Sequence, residues 1–409
     1  MTLHQLGPFT LDTRTLLLLR EDEIVRVPMK TVEVLLALIE RRGQIATKDE
    51  LLRAVWPDSI VEEANLSVHV ALLRKTLGET APIETIPKRG YRLLAATATR
   101  VASVLRGRYF WNKFTRDSLD RATQCFEEAL RVDARSGEAH AGLSDTQLMQ
   151  GLFGFDPRRD VFSRAAQHGE SAAELSPESA DAQASAAFSR LFDRYDFPGA
   201  GEALARARKL APARVEPHLW SALYYALNGE TMRALSSARE ATALDPISLK
   251  AVIGSGFHLY LSQQYEPDVE ALEQTIELEP EFAVAHWALG LACDRLGQFT
   301  RAEAEHRAAV LHSGASPTME SNLARSLILA GKRTEGAALL ERLSAEGLAP
   351  YRQATIQAAL GENGVAIASL ERALSARDPW LVVLSVDPML DGVRKDRRVQ
   401  NIEKEVRGG

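Results

Sequence analysis

The chain has 409 residues, 45% of them hydrophobic, and its 49 Lys and Arg against 55 Asp and Glu leave a net charge of −6. That length suits two or three domains with real cores, and the overall charge does not by itself point to nucleic acid. No apolar run is long enough to span a bilayer and the start, MTLHQLGPFTLD, lacks the basic-then-apolar plan of a signal peptide, so a cytoplasmic chain with no membrane partner is expected.

In chain order, Leu6 to Asp12, Leu16 to Arg20 and Ile24 to Val27 are short β-prone runs separated by polar clusters, which predicts a small antiparallel sheet. Lys30 to Arg42 follows with Val32, Leu35, Leu36 and Ile39 at helical spacing and Gly43 as a stop. Thr47 with Glu50 three residues on is a capping box that opens a helix over Lys48 to Val55, and Trp56-Pro57 ends it. A third helix runs from Asn65 to Leu77, with Leu66, Val70, Leu73 and Leu77 forming one apolar stripe. Its other faces carry Ser67, His69, Ala71, Arg74 and Lys75, a small and basic set that a helix can present to a groove. Ile83 to Ile86 and Tyr91 to Leu94 then read as a hairpin with Lys88 and Arg89 at its tip.

A helix with a short-side-chain, basic face followed by a basic-tipped hairpin is the plan of a winged helix-turn-helix, in which the helix enters the major groove and the wing grips backbone. HVALLRKTLG followed by IETIPKRGYRL resembles the DNA-binding domain of the OmpR/PhoB family of bacterial regulators, and the similarity runs from about Leu6 to Ala95. The resemblance implies double-stranded DNA as partner, with Ser67, His69, Ala71, Arg74, Lys75, Lys88, Arg89 and Tyr91 as the contact set. It also implies RNA polymerase as a second partner, touched by the turn before the third helix. Asp58, Glu62 and Glu63 are the acids there, and a solvated acidic loop is the alternative. His69 reads either as a DNA contact or as a buried histidine, Arg74 either as a base reader or as a partner of an acid inside the domain, and Tyr91 either as wing-to-core packing or as a stacking surface. Family members often place basic residues where this sequence has Leu72 and Thr76, so readout would lean on Arg74, Lys75 and apolar contact with thymine methyls.

Charge is unevenly placed: residues 1–63 hold 8 basic and 11 acidic residues, whereas 64–97 hold 5 and 2. This footprint is modest, so two copies on successive half-sites, a homodimer on DNA, are expected to supply the affinity.

Residues 98–104 read as a short linker. Beyond them Pro212, Pro246 and Pro280 lie 34 residues apart and Pro177 lies 35 before the first, each ending a similar phrase: AAELSP, ARKLAP, ATALDP, IELEP. Ala200 and Ala234 each precede a proline by twelve, and Leu289-Gly290 stands where two helices must approach closely. The period resembles that of the tetratricopeptide repeat, a helix-turn-helix unit that stacks into a superhelix and binds proteins or peptides, with seven or eight units over 105–378 and an insertion around Gly151 to Pro157. Residues 379–409 resemble the closing segment of such arrays, with Trp380, Leu381, Leu384 and Met389 covering the last repeat. Cys125 and Cys293 read as reduced structural thiols, and the histidines of the repeats, His218, His258, His286, His306 and His312, as groove or surface residues.

There is no phosphate loop, dinucleotide fingerprint, zincin motif or nucleophile elbow, so no enzyme, cofactor or metal is expected. The fold expected is mostly α: a winged helix (α+β) over 1–97, then an α-solenoid. Its function is expected to be that of a sequence-specific transcriptional regulator, an activator, whose repeats bind a partner or self-associate. It resembles the CadC/ToxR-like and HilA-like groups, the latter more closely because the former are membrane-anchored. The alternative is an adaptor whose winged helix contacts protein.

Overall fold

The computed structural model describes residues 3–6, 9–12, 15–20, 23–41, 44–57, 61–77, 83–93, 98–156, 158, 160–244, 257 and 259–408. They group into two compact units, Met1–Asn112 with Asp120–Leu143, and Lys113–Leu119 with Ser144–Gly409.

The first unit begins with a four-stranded antiparallel meander in the order β1 (Leu3–Leu6), β2 (Phe9–Asp12), β3 (Leu17–Arg20) and β4 (Glu23–Val25). The run expected from Leu6 to Asp12 is thus two strands, with Leu6 opposite Phe9. Helix α1 (Met29–Glu40) buries Val32, Leu35, Leu36 and Ile39. Helix α2 (Lys48–Val55) opens on the capping box, in which the Thr47 hydroxyl accepts from the Glu50 amide and the Glu50 carboxylate accepts from the Thr47 amide at 2.8 Å. Helix α3 (Glu63–Leu77) sets its apolar stripe, Leu66, Val70, Leu73 and Leu77, into one core with α1.

Behind α3, strands β6 (Ile83–Ile86) and β7 (Gly90–Leu93) form the wing, and β5 (Ala46–Thr47) pairs with β7 to complete a three-stranded sheet. Gly90 is fixed by that pairing: a Cβ there would lie 2.0 Å from the Ala46 carbonyl oxygen. Only glycine lets β5 approach so closely.

The segment expected as a linker is helical: α4 spans Ala98–Trp111. Its Leu105 joins the winged-helix core, and Arg106 reaches Glu40 of α1 at 3.7 Å. Residues 98–112 and 120–143 group with the winged helix, so the division between units falls inside the repeats, later than the expected boundary at 97.

The repeats are helix pairs: 98–111 with 116–132, 137–152 with 161–175, 180–194 with 197–210, 215–227 with 231–244, 283–295 with 299–313, 317–329 with 333–345, and 350–359 with 363–375. A further helix, Tyr265–Leu278, follows a stretch that lies largely outside the described residues, as does Pro246. Gly290 sits where it must, because a Cβ there would lie 2.7 Å from the His306 ring. Ala200, Ala234, Ala302 and Ala309 are buried at the matching close approaches.

A device not expected from the sequence joins three of the described turns to the next first helix. His218 bonds the Pro212 carbonyl at 2.8 Å, His286 the Pro280 carbonyl at 2.9 Å, and the Gln183 amide donates to the Pro177 carbonyl at 3.1 Å. All three lie six residues after the proline, so these histidines, with the fully buried His306, are packing groups rather than groove or surface residues. His258 lies outside the described residues.

The insertion also has a structural task within the second unit. The hydroxyls of Ser316 and Thr318 donate to the carbonyls of Phe153 and Leu152, each at 2.7 Å, and the Arg116 guanidinium lies 4.7 Å over the Phe155 ring. Solenoid repeats ordinarily touch only their neighbours. Here the loop after helix 137–152 meets the start of helix 317–329, several repeats further along the chain.

Candidate nucleic-acid interface

With its apolar stripe buried, α3 turns Ala64, Asn65, Ser67, Val68, Ala71, Arg74 and Lys75 outward. These positions recur every three or four residues, so they share one face. All but the two basic residues are short, which lets a helix backbone approach a groove floor. Val68 is 62% exposed although it is a branched apolar residue. It was missed in the sequence because it lies out of phase with the core stripe, and that phase was itself the available signal. Ala64 and Asn65 were missed for the same reason.

The expected contact set divides. Ser67, Ala71 and Lys75 are on the outer face, and Lys88 and Arg89 are exposed at the wing tip, with Lys88 held in the left-handed region at φ 60°. The other three are turned to structural work. His69 points into the helix layer: its Nδ1 shares a 2.8 Å hydrogen bond with the Thr31 hydroxyl, and its ring lies 5.4 Å from that of Trp56. Burial, reinforced by Lys30 and opposed by Glu33, lowers its pKa and disfavours the charged form a phosphate contact would use.

Arg74 bends back onto the wing. Its Nε and Nη2 donate to the Ile83 carbonyl at 2.9 and 2.7 Å, Nη2 also donates to the Thr85 hydroxyl at 2.6 Å, and the guanidinium sits 5.9 Å from the Tyr91 ring centroid. It fastens strand β6 to α3, and the partner is a carbonyl where an acid was considered. Tyr91 is 6% exposed and its hydroxyl meets Ser67 Oγ at 3.2 Å, so it is wing-to-core packing with no face left for a base.

Before α3, Glu62 and Glu63 are exposed, and Glu63 pairs with Lys48 at the start of α2. That ion pair ties α2 to α3 and raises the Lys48 pKa. Asp58 lies outside the described residues. Chemically, the surface offers short polar and apolar contacts on a helix flanked by a cationic hairpin tip. Among the described residues no group of His, Cys, Asp and Glu could hold a metal ion, and Cys125 and Cys293 are buried free thiols, burial pushing Cys293 up to about 11.

Residues 21–93 match the family model described as "Transcriptional regulatory protein, C terminal". The reading domain is of this OmpR/PhoB type. Over 78 residues the chain is 40% identical to the transcriptional regulator HilA of Salmonella typhimurium, a match covering 18% of this chain and 14% of HilA. It is 33% identical over 79 residues to a cholera toxin homolog transcriptional activator of Vibrio parahaemolyticus, covering 18% of this chain and 27% of that one. The chain thus spans a small part of the length of the relatives it matches. Among solved structures, a monomeric mutant of IFIT1 superposes with a TM-score of 0.52 at 15% identity, covering 92% of this chain and 90% of that one, which shows likeness of fold alone. Together these describe a transcription-regulator DNA-binding domain followed by tetratricopeptide-like repeats. No helix among the described residues is long and apolar enough to cross a membrane.

Proposed function

We propose that this protein is a sequence-specific transcriptional regulator that binds double-stranded DNA through α3 and the wing. The observation that carries this is the outer face of α3, with Ala64, Ser67, Val68 and Ala71 short enough for close approach and Lys75 at one end, beside a wing whose tip exposes two cations, Lys88 and Arg89. The helix docks in the major groove, and Val68 and Ala71 meet thymine methyls. Asn65 has the donor and acceptor that a base edge needs, while Lys75, Lys88 and Arg89 neutralise phosphates. Arg74 and Tyr91 hold the wing at the angle that makes this simultaneous.

The remaining roles follow the same plan. Two copies on half-sites about one helical turn apart supply the affinity that a near-neutral domain lacks. The protein works as an activator in the cytoplasm, at the nucleoid, with Glu62, Glu63 and Asp58 meeting RNA polymerase, and its repeats take a protein or peptide partner. The test is a mobility shift of the full chain on DNA of its own upstream region and on genomic fragments, against random competitor across a salt series. The Lys88→Ala, Arg89→Ala variant should bind every sequence more weakly and lower the salt slope by about 0.9 for each phosphate it no longer neutralises. Failure to bind any genomic fragment would overturn the proposal.

A further inference from the structure

The segment after the repeats does more than cover the last helix pair. It contains the four-residue pattern Asp-Pro-apolar-Leu twice, at Asp378-Pro-Trp-Leu381 and Asp387-Pro-Met-Leu390, and each folds as a 3-10 turn capped by its own aspartate. The Asp378 carboxylate accepts from the Trp380 amide at 3.1 Å, and that of Asp387 from the Met389 amide at 3.0 Å. Both are also held by one residue of the repeats, since the Tyr351 amide donates to Asp378 at 2.9 Å and the Tyr351 hydroxyl to Asp387 at 2.7 Å.

Beside them the Arg352 guanidinium stacks 3.6 Å over the Trp380 ring. Further along, the Tyr195 hydroxyl donates to the Asp378 carbonyl at 2.9 Å, Arg295 donates to the Pro388 carbonyl at 3.3 Å, and Arg407 donates to Asn228 at 2.7 Å. Tyr195, Asn228, Arg295 and Tyr351 lie on or cap first helices of pairs spread from 180 to 375. A segment that meets all of them lies on the inner face of the superhelix, which is where repeats of this kind hold extended peptides.

This junction combines two opposed features. Trp380, Leu381, Leu384, Met389 and Leu390 are buried, which holds the segment in place. Yet Asp378, Asp387 and Arg352 are 4%, 3% and 3% exposed, and Nε and Nη2 of Arg352, Nε of Arg295, Nε of Arg394 and the Tyr260 hydroxyl are buried with no hydrogen-bond partner among the described residues. An interface built only for stability satisfies such groups. The carboxylates are paired, but each nitrogen and hydroxyl left without a hydrogen bond keeps part of its desolvation cost and offsets some of what the apolar burial contributes.

We propose that Asp378–Arg407 is a resident ligand of the inner face, exchangeable for a partner protein's segment carrying the same Asp-Pro-apolar-Leu turn, so that the repeats accept a partner only as their own segment leaves. Tyr351 and Arg352 are the residues that recognise the turn: the first binds both carboxylates, the second stacks on the apolar residue. The apparent affinity for a partner is then scaled down by the fraction of molecules in which the segment is out. This rests on the repeats being the partner-binding half of the regulator, and the test contains no DNA, so its failure leaves the DNA reading standing.

The probe is a fluorescein-labelled synthetic peptide of residues 378–391, titrated by anisotropy into the full chain. In a Trp380→Ala, Asp387→Asn variant the resident is weakened and the peptide should bind at least tenfold more tightly than to the unaltered chain. Adding Arg352→Ala should abolish that gain. A folded variant with no gain, or a gain insensitive to Arg352, overturns the proposal. Should the variant fail to fold, hydrogen exchange on the unaltered chain decides: amides of 380–384 and 397–406 should exchange at least tenfold faster than those of helices 180–194 and 350–359. Exchange at one common rate would make the segment an ordinary part of the core and overturn it.

Discussion

Arg74 distinguishes a wing that is held from a base that is read. In Arg74→Ala, the bonds to the Ile83 carbonyl and the Thr85 hydroxyl disappear together, along with the cation over the Tyr91 ring. A hydrogen bond to a charged group contributes about 1.5–3 kcal/mol when well shielded. Arg74 is exposed, so the set as a whole is worth about 1–2 kcal/mol. That loss falls on the local opening of the hairpin, because the core residues of α3 are untouched. Amide exchange over residues 83–93 should therefore quicken by roughly tenfold, a tenfold change being about 1.4 kcal/mol. In DNA binding, a loosened wing weakens specific and random sequences alike, whereas removing a bidentate guanine contact would cost about 1–3 kcal/mol on the specific site only. Arg74→Lys keeps the charge and loses the forked geometry, so it should resemble the alanine variant in both assays. A loss confined to the specific site, with wing exchange unchanged, would refute this reasoning and return Arg74 to base readout.

Gly90→Ala should cost about 1–3 kcal/mol or more, because its Cβ meets the Ala46 carbonyl, which cannot swing aside as a side chain can; limited proteolysis should show earlier cleavage in 83–93. Val68→Ser should leave thermal unfolding within about 0.5 kcal/mol, since the side chain is exposed, and should weaken binding to a selected site more than to random DNA, as competition titrations will read. Burial lowers the His286 pKa, but its bonds to Glu305 and the Pro280 carbonyl outweigh that and leave it raised. A raised histidine stabilises the fold fully below its unfolded value of about 6.5 and loses that contribution as pH climbs through the folded value, so stability of the second unit should decline over that window. His286→Gln should flatten the decline while keeping the carbonyl bond, as Gln183 does at the matching place; an unchanged pH profile in thermal melts would discard the assignment.

Much of the fold was legible because single residues enforce it. Thr47 and Glu50 cap α2 as expected, the stripe Leu66, Val70, Leu73 and Leu77 fixes which face of α3 is inside, and prolines at fixed spacing mark the repeats. What stayed open has a common source. Periodicity says which side of a helix is buried, but it does not say where a long side chain on the border goes. His69, Arg74 and Tyr91 all lie on such borders: His69 and Tyr91 take the packing alternatives left open in the sequence, on a buried threonine hydroxyl and a serine of α3, and Arg74 takes a strand carbonyl in place of an acid. Val68 is the converse, an apolar residue whose phase exposed it although its type suggested core. The segment over 98–104 looked like a linker because Ala, Thr and Ser carry little pattern, and its helical state is settled by Leu105 entering the winged-helix core further on.

The inner face of the repeats was beyond sequence reasoning for a different reason. Its contacts join residues 183 and 179 positions apart, Tyr195 to Asp378 and Asn228 to Arg407, and no local rule spans such distances. What the sequence did carry was the repetition of Asp-Pro-apolar-Leu, which a helix-capping segment has no need to write twice. Both copies converge on Tyr351 because two aspartates nine residues apart, each capping a short turn, place two carboxylates on one side of the chain. A repeat array of this kind with an empty inner face would expose an apolar, arginine-bearing surface. Filling it with a segment of the same chain keeps that surface from solvent, and the Arg352 nitrogens left without a hydrogen bond beside Trp380 are the place where the proposed exchange would begin.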